Sequence, residues 1–71
     1  MQGQQTSISN KYYNLVSALY HSLESAQTYA TYVKDAQQSN DQELTQFFQS
    51  LQNSANQQAQ QAQQLLARYS K

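Results

Sequence analysis

Apolar residues recur at every third or fourth position along two stretches of the chain, one on each side of a polar segment at residues 39–43. In the first stretch this spacing is shared by Ile8, Tyr12, Leu15, Leu19, Ser22, Ala26, Tyr29, Val33 and Ala36. In the second it is shared by Leu44, Phe48, Leu51, Ala55, Gln58, Ala62, Leu65 and Tyr69. Such spacing is typical of a helix that packs nearly parallel to a neighbour. The pattern therefore predicts two long helices, and we call the residues of each that face the other helix its seam.

The first helix is predicted over about residues 9–38, because nothing in that range interrupts the spacing. Ser7 and Ser9 are both candidate N-caps. With Ser9 as the cap, Ile8 and Tyr13 have the spacing of a hydrophobic staple. Residues 1–6 contain the only glycine and lack the periodic pattern. We expect a disordered tail at 1–6 and a helical hairpin over 7–71.

The turn between the helices is predicted at residues 39–40, where several capping residues follow one another. Asn40 as N-cap places Glu43 at the third helical position, which is the arrangement of a capping box. Ser39 with Gln42 offers the same arrangement one residue earlier. The second helix is then predicted over about residues 41–69. Helices of equal length with a short connection form an antiparallel hairpin, in which residues whose numbers add up to about 80 should meet.

A hairpin of this size is too thin to bury both helices fully, since each still shows apolar residues beside its seam. These flanking residues are predicted to be Leu23, Ala30, Phe47, Ala59 and Leu66. The fold class is therefore all-α: an antiparallel two-helix hairpin that dimerises into a four-helix bundle. The predicted dimer core consists of Leu15, Leu19, Leu23, Tyr29, Val33, Phe47, Phe48, Leu51 and Leu65. The tyrosines that lie off the seam are candidates for the contact between hairpins or with another protein, namely Tyr13, Tyr20 and Tyr32.

Charge and composition narrow the function classes. Four basic and four acidic residues are scattered and balance to zero, so nothing favours binding of nucleic acid or of an anionic membrane. The chain has no cysteine and therefore no disulfide or thiolate site. Its sixteen glutamines lie mostly between seam positions and are expected to form a neutral, solvated helix surface. We expect a cytoplasmic protein without a membrane span.

The stretch from Ser22 to Leu66 resembles half of a ferritin-like bundle, particularly the rubrerythrin and encapsulated-ferritin branches. The residues that carry the resemblance are Thr28–Ala36, a short polar turn, Leu44–Phe48, Ala59 and Leu65–Leu66. In that family two hairpins enclose a di-iron site, to which each contributes a glutamate and a Glu-x-x-His pair. The matching positions here hold Ser22, Ala55 and Gln58. These neutral side chains are poor iron ligands, so the resemblance implies the fold without the metal, cofactor or catalysis.

Three functional hypotheses follow from this sequence. The leading one is a non-catalytic ferritin-like module that acts in structure or protein–protein interaction as a homodimer, with further assembly left open. The alternative is a metal-binding oxidoreductase or iron-handling accessory that uses His21 and Glu24, which stand three residues apart. A third is a coiled-coil adaptor that pairs with a different protein. We expect no enzyme, because the single histidine has no acidic residue placed to orient it for a catalytic triad.

Overall fold

The computed structural model describes residues 9–69 and forms an antiparallel hairpin of two helices. Helix α1 spans Asn10–Gln38 and helix α2 spans Gln42–Tyr69. Outside the helices, the described residues are Ser9 and the turn 39–41. The predicted tail at 1–6 and the staple residue Ile8 lie outside the described residues.

Ser9 is the N-cap of α1. Its backbone is extended, with φ −65° and ψ 150°, and its hydroxyl oxygen accepts a hydrogen bond from the Tyr12 amide at 3.3 Å. Its carbonyl accepts from the Tyr13 amide at 3.0 Å. One serine therefore satisfies an amide of the first turn with its side chain and begins the helical ladder with its backbone, which confirms the predicted cap.

Helix α1 ends in a Schellman motif. The Asp41 amide donates to the Ala36 carbonyl at 3.1 Å, and the Asn40 amide donates to the Gln37 carbonyl at 3.0 Å. This pattern requires a left-handed residue just after the helix. Asn40 supplies it with a φ of 58° and is the one described residue other than glycine that has a positive φ.

The predicted N-cap of α2 is wrong by one residue. Asp41 caps the helix, because its Oδ1 accepts from the Leu44 amide at 3.0 Å and its carbonyl accepts from the Thr45 amide at 3.0 Å. An N-cap needs an extended backbone, which Asn40 cannot offer while its left-handed conformation ends α1. Glu43 is consequently the second helical residue, where its charge still interacts favourably with the N-terminal helix dipole.

Replacing Asn40 by valine should destabilise the hairpin by about 1–2 kcal/mol, because a β-branched residue tolerates the left-handed region poorly. Asn40→Gly is the matched control and should leave the free energy of unfolding unchanged or slightly higher. Urea denaturation followed by circular dichroism measures both. Equal stability of the two variants would contradict the left-handed turn.

The register of the hairpin agrees with the predicted pairing. The rings of Tyr32 and Phe48 meet edge to face with centroids 5.3 Å apart near the turn. At the open end, the Lys11 ammonium lies 5.3 Å from the centroid of the Tyr69 ring. The residue numbers of each pair add up to 80. The same register is therefore held along the whole length of the hairpin.

Small side chains form the buried part of the seam. The buried residues are Ala26, Val33, Ala36, Thr45, Ala55, Ala59 and Ala62. Alanine allows two helix backbones to approach closely, but it buries little apolar area per residue. The larger seam residues Leu15, Leu19, Tyr29, Phe48 and Leu51 are only half-buried. Contact within the hairpin alone therefore leaves much of the large apolar surface uncovered.

The phase of the α2 seam differs from the prediction in its second half. Ala59, predicted on the flank, is buried, whereas Gln58, predicted on the seam, is exposed. Leu66, also predicted on the flank, is half-buried, while Leu65 is exposed. After Ala55 the seam continues four residues later, at Ala59. An α-helix of 3.6 residues per turn allows the next seam residue to come three or four residues later, and only the step of four places Ala59 in the seam.

Candidate functional site

The three positions that the resemblance matches to metal ligands differ in burial within the hairpin. Ser22 is half-buried on α1 and Ala55 is buried on α2, but Gln58 is exposed beside the seam. Within residues 9–69, no three His, Cys, Asp or Glu side chains cluster in a way that could hold a metal ion. The middle of the hairpin therefore offers small and neutral groups where the ferritin-like arrangement has carboxylates and imidazoles.

His21 and Glu24, the alternative metal ligands, do lie together. The His21 Nδ1 and Glu24 Oε1 atoms are 3.7 Å apart, and both side chains are mostly exposed on α1. The Tyr20 ring packs edge to face on the imidazole, with centroids 5.5 Å apart. A solvated pair of this kind contributes little to stability, and two donors do not complete a metal coordination shell.

Four aromatic rings from both helices contact one another in a row on one side of the hairpin, near the turn. The rings of Tyr29 and Tyr32 are 6.0 Å apart, those of Tyr32 and Phe48 are 5.3 Å apart, and those of Phe47 and Phe48 are 5.5 Å apart. An apolar cleft of about 250 Å³ opens between Tyr32 and Leu44. We define the aromatic face by the residues Tyr29, Tyr32, Leu44, Phe47, Leu51 and Leu65.

Solvent reaches most of the aromatic face. Phe47 is 55% exposed, and Tyr32, Leu44 and Leu65 are also exposed. An exposed apolar surface built from contacting aromatic rings is typical of a protein–protein contact. The face is apolar toward both ends of the hairpin. Its middle carries Gln58 from α2 and the half-buried Ser22 and Ser25 from α1.

A second apolar surface lies on α1 alone. Tyr13, Val16, Tyr20 and Leu23 follow one another at intervals of three and four residues, and all four are exposed. Ala30 continues the same line after Gln27. We define the α1 stripe as Tyr13, Val16, Tyr20, Leu23, Gln27 and Ala30.

The α1 stripe and the aromatic face lie on opposite sides of the hairpin. Leu23 and Tyr32 are nine residues apart, as are Tyr20 and Tyr29. Because a helix turns about 100° per residue, nine residues bring the chain half a turn beyond two full turns. The ring contact of Tyr32 with Phe48 fixes which side belongs to the aromatic face.

The residues predicted for the dimer core therefore divide into three groups. Val33 is buried inside the hairpin. The half-buried ones are Leu15, Leu19, Tyr29, Phe48 and Leu51. The exposed ones are Leu23 on the α1 stripe and Phe47 and Leu65 on the aromatic face. A single contact between two flat faces consequently cannot cover all of them.

The off-seam tyrosines named from the sequence, Tyr13, Tyr20 and Tyr32, are all exposed. Sequence reasoning missed that they belong to two different surfaces. The signal was present in the spacing, since Tyr13, Val16, Tyr20 and Leu23 form a second line of three-and-four steps parallel to the first.

No family model, no curated protein and no solved structure matches the chain. Across residues 9–69, neither helix combines the length and the apolar content needed to cross a membrane.

Proposed function

We propose that this chain is a non-catalytic helical module that acts in structure or protein–protein interaction, and that its first partner is a second copy of itself. Two hairpins would meet through their aromatic faces and form a four-helix bundle of the ferritin-like kind. The observation that carries the proposal is the exposure of Phe47, Tyr32 and Leu44 around contacting rings.

The size of the hairpin supports this pairing. Helices of 29 and 28 residues lying side by side present a flat face about 42 Å long and about 20 Å wide. Such a face covers about 800 Å², which is the area that each partner contributes to a stable interface of standard size. Two copies facing each other across a twofold axis would bury apolar residues contributed by both helices.

The charge balance and the middle of the face also fit a second copy. A net charge of zero leaves little repulsion between identical chains. Ser22, Ser25 and Gln58 of one copy would face the same residues of the other, where neutral groups can hydrogen-bond to each other. In the ferritin-like arrangement this is the place of the metal site, and buried carboxylates there would be costly without a metal.

The mass of the full chain in solution tests the proposal. Light scattering after size exclusion should give twice the 8.1 kDa of one chain. Phe47→Glu should raise the dimer dissociation constant about 30-fold or more, since losing a buried aromatic anchor costs about 2 kcal/mol. Gln46→Glu is the matched control, because it places the same charge one residue earlier on an exposed position outside the face.

Three outcomes would contradict the proposal. A single-chain mass with full helicity at micromolar concentration and above would contradict the dimer. Equal effects of Phe47→Glu and Gln46→Glu would remove the aromatic face from the contact. Elemental analysis of protein purified without a histidine tag should find no stoichiometric metal, and one iron, manganese or zinc ion per dimer would support the alternative with His21 and Glu24.

A further inference from the structure

We infer that the α1 stripe is a second self-docking surface, which joins two of the proposed dimers by packing α1 of one dimer antiparallel against α1 of the other. The inference rests on the proposed dimer, because it needs the aromatic faces to be already occupied. It adds a distinct contact, built from different residues on the opposite side of the hairpin.

Helix α1 carries two complete lines of residues spaced three and four positions apart. One line packs on α2, with Ala26, Val33 and Ala36 buried. The other, the α1 stripe, runs beside it over about 27 Å from Tyr13 to Ala30 and is exposed at each of its positions. A helix with two such lines has the pattern of one that packs on two neighbours.

A dimer formed through the aromatic face leaves Tyr13, Val16, Tyr20 and Leu23 in water, because they lie on the other side of each hairpin. Tyr13 and Tyr20 are 60% and 61% exposed. Each dimer therefore presents two α1 stripes on its outer surfaces, and identical stripes are available to meet across a twofold axis.

Residue sizes and charge select the antiparallel direction. The register with the longest overlap places Tyr20 against Leu23, Val16 against Gln27 and Tyr13 against Ala30. The Tyr13 ring then meets the smallest side chain of the stripe. A parallel pair would instead bring together two copies of Lys34, which continues the line of the stripe. Like charges at one place in a contact are destabilising.

The neutrality of the stripe fits a second copy better than a charged partner. Its residues are tyrosine, aliphatic and glutamine, without an acidic or basic group. One helix from each side buries less area than the two helices of the aromatic face. The contact between dimers should therefore form only at higher protein concentration than the dimer itself.

The mass of the full-length chain as a function of concentration tests this inference. The wild-type protein should rise from two chains to four and beyond as its concentration increases, because a pair of dimers still presents a free α1 stripe at each end. Leu23→Glu should stay at two chains over the same range. Thr28→Glu is the matched control, since Thr28 is exposed on α1 away from the stripe, and it should behave like the wild type. Circular dichroism of each variant checks that the helices are intact.

Cross-linking tests the direction of packing. The chain has no cysteine, so single cysteines can be introduced without removing any. Tyr13→Cys and Ala30→Cys should be joined by a short bismaleimide when the two proteins are mixed, and neither should cross-link efficiently alone, because two copies of either residue lie about 25 Å apart in this register. Cross-linking of Tyr13→Cys with itself would overturn the antiparallel arrangement.

The mass results separate this inference from the proposed function. A wild-type protein that stays at two chains at every concentration overturns the α1 stripe and leaves the dimer standing. A wild-type protein of one chain overturns both. If Leu23→Glu gives one chain while Phe47→Glu still gives two, the stripe forms the dimer itself, and the contact between dimers is overturned.

Discussion

Ala59→Glu is expected to unfold the hairpin at 25 °C. Ala59 is 4% exposed and lies between Ala55 and Ala62, which are also buried in the seam. A carboxylate there has no buried cation to pair with among the described residues, because the basic residues of this part of the chain are all exposed. An unpaired charge in such a place costs about 3–5 kcal/mol, and Glu itself favours helix. The loss of stability would therefore come from the contact between the helices and not from a lower helix propensity.

Gln60→Glu is the control for this prediction. It introduces the same side chain at the next residue, which is exposed. We expect its helicity to be unchanged and its free energy of unfolding to stay within about 0.5 kcal/mol of the wild type, as for most surface substitutions. Far-UV circular dichroism during thermal unfolding compares the two. A folded Ala59→Glu variant as stable as Gln60→Glu would show that the seam does not pass through Ala59.

The architecture was accessible from the sequence because long helices repeat the same information many times. The two helices, their antiparallel pairing and the register in which Tyr32 meets Phe48 all follow from the spacing of apolar residues and from the position of the polar turn. Each feature depends on several turns of helix. An error at one position therefore does not change the result.

Features of the seam that depend on a single residue could not be predicted from the sequence. After Ala55 the seam could continue through Gln58 or through Ala59, and both steps agree with 3.6 residues per turn. Alanine gives a weak apolar signal in a sequence, so the pattern alone did not distinguish them. The structure buries Ala59, whose side chain ends at Cβ, and leaves Gln58 exposed.

The cap of α2 illustrates the same limit. Ser39, Asn40 and Asp41 are all residues that cap helices, and each can supply a side-chain oxygen. The choice depends on which of them takes the left-handed conformation that ends α1. Asparagine tolerates that conformation best of the three, so Asn40 ends one helix and Asp41 begins the next.

The candidate surfaces were only partly predicted, since exposure depends on which side of the hairpin each residue occupies. The sequence identified Leu23 and Phe47 as flanking residues and assigned both to one dimer core. In the antiparallel hairpin Phe47 lies on the same side as Tyr32, whereas Leu23 lies on the opposite side. Two separate contacts are therefore needed to cover them.

Phe48→Ala and Phe47→Ala should differ in how their effects depend on protein concentration. Phe48 is half-buried and its ring contacts Tyr32 across the hairpin at 5.3 Å. Its truncation should lower the free energy of unfolding by about 2 kcal/mol at every concentration, since truncating a half-buried ring costs less than truncating a fully buried one.

Phe47 is 55% exposed and makes its ring contact with Phe48 on the same helix. Its truncation should cost little in a dilute sample, where the hairpin is a monomer. At about one hundred times the dimer dissociation constant, association adds about 2.7 kcal/mol to the wild type, and the Phe47→Ala variant should lose most of that gain. Urea denaturation at the two concentrations measures both variants side by side. A Phe47→Ala effect that is the same at both concentrations would mean that this ring takes no part in association, and the aromatic face would then have to be assigned another role.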